Sequence, residues 1–77
     1  MEVQMISNGI DGNKRCFIVQ DSNRKQYKII NCDLTSILNL DYAESYIGSF
    51  IDDNGTNYVA HLIICKKSKK IELELSR

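Results

Sequence analysis

The sequence predicts a mainly β domain with one short helix, folded as a small β-barrel or a strongly bent antiparallel sheet. Three observations predict it. The apolar runs Tyr46–Ile51 and Tyr58–Cys65 flank Asp52-Asp53-Asn54-Gly55-Thr56-Asn57. Asn-Gly between aromatic and β-branched runs is a strong hairpin signal, because both residues accept the positive φ of tight turns. Short apolar or alternating segments bounded by Asn, Asp, Gly and Ser recur along the chain, with no Pro. Only the stretch after Asp33 changes to a helical spacing.

Taken in order, Glu2 to Ser7 alternates weakly, with Val3 and Met5 on one face, and reads as a first strand. Asn8-Gly9-Ile10-Asp11-Gly12-Asn13 holds an Asn-Gly and an Asp-Gly pair and reads as a turn or loop. Arg15 to Gln20 is apolar on both faces, as an interior strand is. Asp21-Ser22-Asn23-Arg24 follows as a turn, since short polar side chains bond locally to the backbone. Gln26 to Cys32 is the third strand, with Tyr27 and Ile29 on one face and Lys28, Ile30 and Cys32 on the other. These three segments form a meander.

Asp33 is placed as an N-cap, with Leu34, Ile37, Leu38 and Tyr42 at the spacing of one helical face. A helix of about two to three turns is expected there. The Tyr46–Cys65 hairpin comes next, and its second arm, the most apolar segment, is expected at the centre of the sheet. Lys66 to Lys69 is a charged turn. Lys70 to Leu75 alternates strictly between apolar and charged residues, as a half-buried strand at a sheet edge does. The order β-β-β-α-β-β-β matches the element order of OB-like barrels, and meanders also close SH3-like barrels. This is a likeness of element order alone. No repeated segment, low-complexity tract or linker is apparent, so residues 1–77 read as one domain.

Seventy-seven residues bury only about 60% of the surface the unfolded chain exposes, so stability is expected to be marginal without a partner. Met1 to Gln4 lacks a basic and then apolar leader pattern, and the longest apolar run is four residues, far short of a membrane span. Three Cys without CxxC spacing suit reduced thiols rather than a disulfide framework. A cytoplasmic protein with no membrane association is expected.

Net charge is zero but unevenly spread. Lys14, Arg15, Arg24, Lys25 and Lys28 oppose only Asp21. From Ile29 to Cys65 there is no Lys or Arg, against Asp33, Asp41, Glu44, Asp52 and Asp53. Lys66, Lys67, Lys69 and Lys70 then restore positive charge. A bipolar surface results if the fold keeps these segments apart; turns distributed around one barrel average the field out.

No pattern calls for catalysis, and no enzymatic activity or catalytic residue is expected. The sole histidine, His61, lies in the most apolar strand, and Cys65 is about 13 Å further along the same face, beyond a thiol–imidazole contact. Cys16, Cys32 and Cys65 are too widely spaced for a usual zinc knuckle. Asp52-Asp53-Asn54-Gly55 lacks the alternating register of a calcium loop. No Gly-rich phosphate loop leads into a helix. Neither a metal nor a small-molecule cofactor is expected.

Two binding readings remain. The first is a non-enzymatic protein-interaction or regulatory module, with a protein partner or self-association through the edge at Lys70, Glu72 and Glu74. The alternative is an OB-like single-stranded nucleic-acid-binding domain, in which Phe17 and Tyr27 stack bases beside Lys14, Arg15, Arg24, Lys25 and Lys28. A small barrel also needs those two aromatics for its core, and nucleic-acid-binding domains are usually basic overall.

Overall fold

The computed structural model describes residues 1–39 and 42–77, without the side chains of residues 35–39. Within them the backbone forms six strands: β1 (Glu2–Asp11), β2 (Lys14–Gln20), β3 (Gln26–Asn39), β4 (Ala43–Ile51), β5 (Asn57–Cys65) and β6 (Ile71–Ser76). Each strand pairs with its chain neighbour in antiparallel sense, and β6 returns to β1 to close the barrel. The path is up-and-down, whereas an OB barrel follows a Greek key.

The core follows from alternation. Phe17 and Val19 of β2, Tyr27 and Ile29 of β3, Tyr46 and Phe50 of β4, Ala60 and Leu62 of β5, and Ile71 and Leu73 of β6 all point inward and are buried. Full burial of a side chain such as Leu62 is worth about 1.5–3 kcal/mol relative to exposure. The β4–β5 hairpin runs without a bulge from Ala43↔Cys65 to Ile51↔Asn57. Its second arm lies between β4 and β6, but in a closed barrel every strand lies between two others, so it is not distinguished as the centre of the sheet. Gly48 lets β4 approach β3 closely: a Cβ there would lie 2.6 Å from the Ile30 carbonyl oxygen and 2.5 Å from Cys32 Sγ.

The helix expected after Asp33 is absent, and β3 continues to Asn39 against β4. Its pairing shifts register between Ile30 and Asp33, between Leu34 and Ser36, and between Ile37 and Asn39. Each bulge adds a residue and reverses the alternation of faces. A strand bulged this often therefore carries apolar residues at spacings of three and four, which mimic a helical face. Asp33 caps no helix; its carboxylate accepts both short contacts from Lys14 Nζ, at 2.6 and 2.7 Å. Leu40 and Asp41 lie outside the described residues.

The turns at one end repeat a pattern that whole-segment comparison misses. Asp21-Ser22-Asn23-Arg24-Lys25-Gln26-Tyr27 and Asp52-Asp53-Asn54-Gly55-Thr56-Asn57-Tyr58 share D-x-N-x-x-x-Y. In the first, Asp21 Oδ1 accepts the N–H groups of Asn23 and Lys25, and Asp21 Oδ2 accepts the Tyr27 hydroxyl. In the second, Asp52 does the same for Asn54, Thr56 and Tyr58. Matching backbone bonds close both loops, Arg24 N–H to Asp21 O and Gly55 N–H to Asp52 O. The fourth residue takes positive φ in each, 65° at Arg24 and 81° at Gly55. Asn54 does not adopt positive φ, so the second loop is not the two-residue primed turn that Asn-Gly favours. Phe50 packs between the two tyrosines, 5.2 Å from the Tyr27 ring and 6.0 Å from the Tyr58 ring.

Candidate functional site

The barrel closes along a short seam. β1 is ten residues long, yet among the described residues it pairs with β6 only at Glu2↔Glu72 and Val3↔Ile71, extended by two bonds between Met1 and Leu73, from Leu73 N–H to Met1 O and from the Met1 amino group to Leu73 O. The shortness has a simple cause, since β6 begins at Ile71 and the residues before it form the lysine-rich turn. Beyond Val3, β1 pairs with β2 alone among the described residues. Met5 to Asp11 thus present one backbone edge without a ladder partner. Exposed Ile6 and Ile10 lie on this stretch.

A cavity of about 650 Å³ opens beside that edge, with Met5, Phe17, Tyr46, Ile64 and Ile71 in its wall. Arg15 is its charged centre. Arg15 Cζ lies 5.3 Å from the Phe17 ring centroid and 5.4 Å from that of Tyr46, within cation–π range. Arg15 Nη1 donates to the Tyr46 hydroxyl at 3.0 Å, which donates in turn to Glu44 Oε2 at 2.8 Å. Glu44 also pairs with Lys66 at 3.3 Å. The Tyr46 bond, with Lys66, holds the Glu44 carboxyl below its usual value despite partial desolvation. Burial first, and then the bond to Glu44, pushes the Tyr46 hydroxyl upward. Arg15 Nε is buried with no hydrogen-bond partner among the described residues. Arg15, Lys66 and Lys69 border the cavity against one carboxylate, Glu44, so the lining carries a formal charge of +2 (three minus one).

The residues selected from sequence are dispersed. Phe17 and Tyr27 are core residues, 2% and 6% exposed, and leave no ring face for a base. Lys14 pairs with Asp33, and Lys25 Nζ sits 5.2 Å from the Tyr27 centroid. Arg24 is exposed in the β2–β3 turn, and Lys28 is exposed opposite Ile18. Lys14 and Arg15 are separated from Arg24 and Lys25 by the length of β2, about 20 Å at the usual rise per residue. Glu72 and Glu74 point to solvent as their alternation requires. β6 is not a fully open edge, because β5 flanks all of it and β1 flanks Ile71 and Glu72. Lys70 belongs to the preceding turn, where its carbonyl accepts the Cys65 N–H.

Sequence reasoning passed over Tyr46, which Arg15 bonds, and Glu44 and Lys66, which Tyr46 links to it in turn. Their signal was faint: Glu44 and Tyr46 share parity on β4, whereas Lys66 joins them only through the β4–β5 register. Ser45 was also passed over; its hydroxyl contacts His61 Nε2 on the outer face. Ser45 is 4% exposed, and no carboxylate bonds to His61 among the described residues. Burial pushes the Cys32 thiol up to about 11, which disfavours the thiolate. Among the described residues no group of three or more His, Cys, Asp or Glu is arranged to hold a metal ion, and no helix is long and apolar enough to cross a membrane. Compared with protein-family models, curated proteins and solved structures, the chain matches none.

Proposed function

We propose that this chain is a non-enzymatic binding module whose partner is a protein, taken up as an added strand along β1. The observation that carries the reading is the open edge from Met5 to Asp11. Unpaired N–H and C=O groups in a row are a template for another extended segment. Exposed Ile6 and Ile10 offer apolar contact to such a segment, and the small core of a 77-residue chain gains stability from a bound partner. The single-stranded nucleic-acid reading has less support, because its two aromatics are buried and its cations are spread along the whole length of β2.

The test is selection from a displayed random-peptide library, followed by amide hydrogen exchange of the protein with the selected peptides. Slowed exchange at Met5–Asp11 is the expected result. Failure to select any peptide, or protection confined to the outer face around Ile47 and Val59, overturns the proposal. Light scattering on the free chain reports whether a second copy occupies the same edge.

A further inference from the structure

The guanidinium of Arg15 is half-buried and has no carboxylate of its own. Glu44, the nearest acid in its network, is reached through the Tyr46 hydroxyl and is itself paired with Lys66. Arginine in a partly apolar site is ordinarily matched bidentately by a carboxylate or phosphate. Here the Nη1 bond to Tyr46 is the one hydrogen bond of the guanidinium among the described residues, and Nε is buried without a partner. A buried donor left unmade costs more than a made bond returns. The surrounding wall is apolar along Val3, Met5, Phe17, Ile64 and Ile71, with Gln4, Asn8, Glu44, Lys66 and Lys69 as its polar part.

From these observations we infer that the mouth of the barrel is a binding site for an apolar monocarboxylate, with Arg15 as the anchor of its carboxylate. Charge selects the class. The lining is cationic by two, so an organic cation is repelled. A neutral apolar molecule fills the cavity but leaves Arg15 without a counter-charge. A phosphate dianion reaches Arg15 and Lys69 but sets its second charge near Glu44 and leaves the apolar part of the wall uncovered. A single carboxylate on an apolar stem satisfies both halves of the site, with the charge at Arg15 and the stem along Met5, Ile64 and Ile71. The cavity of about 650 Å³ is within the range of small-molecule sites. This inference stands apart from strand addition along β1, and either can fail alone.

The probe is decanoate, titrated into the ¹⁵N-labelled chain at low salt, with decanol and acetate as the stem-only and charge-only controls. Saturable shifts at Met5, Arg15, Phe17, Tyr46 and Ile64 are expected, with decanoate binding about tenfold or more tighter than either control. Arg15→Gln is expected to weaken decanoate about tenfold and leave decanol unchanged, while Arg15→Lys retains part of the affinity. Should Arg15→Gln fail to fold, Lys69→Glu in the exposed turn lowers the charge of the mouth and is expected to weaken decanoate several-fold. Equal affinity for decanoate and decanol overturns the assignment. So do undiminished decanoate binding by folded Arg15→Gln and shifts confined to the outer face.

Discussion

One end of the barrel carries two near-identical turns in which Asp21 and Asp52 each collect two backbone N–H groups and a tyrosine hydroxyl. The other end is left open beside β1, where Arg15 keeps a buried donor without a partner. The same strands build both ends, so the difference lies in how completely local polar groups are matched. Matched groups rigidify and stabilise. A buried donor left unmatched marks a place where stability was not maximised, as functional or strained sites do. Between the two turns a finer contrast holds: the Asp21 turn places Arg at positive φ, and the Asp52 turn places Gly.

The largest expected effect is on the wall that joins the two ends. Gly48→Ala forces a Cβ against the Ile30 carbonyl oxygen, which cannot retreat without breaking the β3–β4 ladder. A loss of about 3 kcal/mol is expected in urea denaturation. A midpoint like that of the parent chain means that β3 and β4 are further apart than described.

Asp21→Ala and Asp52→Ala are each expected to lower the melting temperature by several degrees, and Arg15→Gln by less than either. If Arg15→Gln proves the most damaging, the open end is structural and the contrast collapses. Acid sharpens the same point. For Asp21, desolvation raises the carboxyl, but the N–H groups of Lys25 and Asn23 and the Tyr27 hydroxyl outweigh it and leave it below 3.8. For Asp52, the Thr56 N–H leads the lowering. Depressed folded-state values mean that this stabilisation is present above the unfolded carboxylate value and is lost as pH falls through the folded one. The double Asp variant should therefore lose less stability than the parent as pH falls below about 4, the unfolded carboxylate value.

Gly55→Val should cost about 1 kcal/mol or more, since a β-branched residue resists positive φ. Arg24→Gly at the equivalent position should change stability by no more than about 0.5 kcal/mol, because relief of φ strain is offset by a freer unfolded chain. Equal sensitivity at the two positions would mean that the turns are not equivalent. The smallest effect belongs to Glu72→Lys with Glu74→Lys. Both side chains face water, and the contact of Glu72 with the Met1 amino group is an exposed pair at 3.3 Å. The change should cost about 1 kcal/mol or less; loss of folding or assembly would place them in a paired interface.

Much of this could be read locally. Strict alternation placed β6 with its inward Ile71 and Leu73, apolar runs placed β2 and β5 without fixing which face turns inward, and the Asp-rich cluster at Asp52 located the hairpin. The third strand was truncated at Cys32 because three bulges disguise its period. The turn pattern shared by Asp21 and Asp52 was legible, but it lies in spaced polar residues that a search for repeated strands passes over. For the site, Arg15 was visible as a cation beside Phe17, but as part of a nucleic-acid surface. Its bonded partner Tyr46, and Glu44 and Lys66 linked through it, are 29 to 51 positions away in the chain.

The sequence by itself determined a strand-rich fold, the Asp21 and Asp52 turns and the inward face of β6, because a period of two and turn chemistry act between near neighbours. Tertiary structure alone decided that β3 runs on as a bulged strand, that β1 meets β6 along only two residue pairs, and that Arg15 reaches the open mouth without a carboxylate. Those outcomes depend on register between distant strands, which hydrogen bonding across the sheet sets and which no local pattern of residues records.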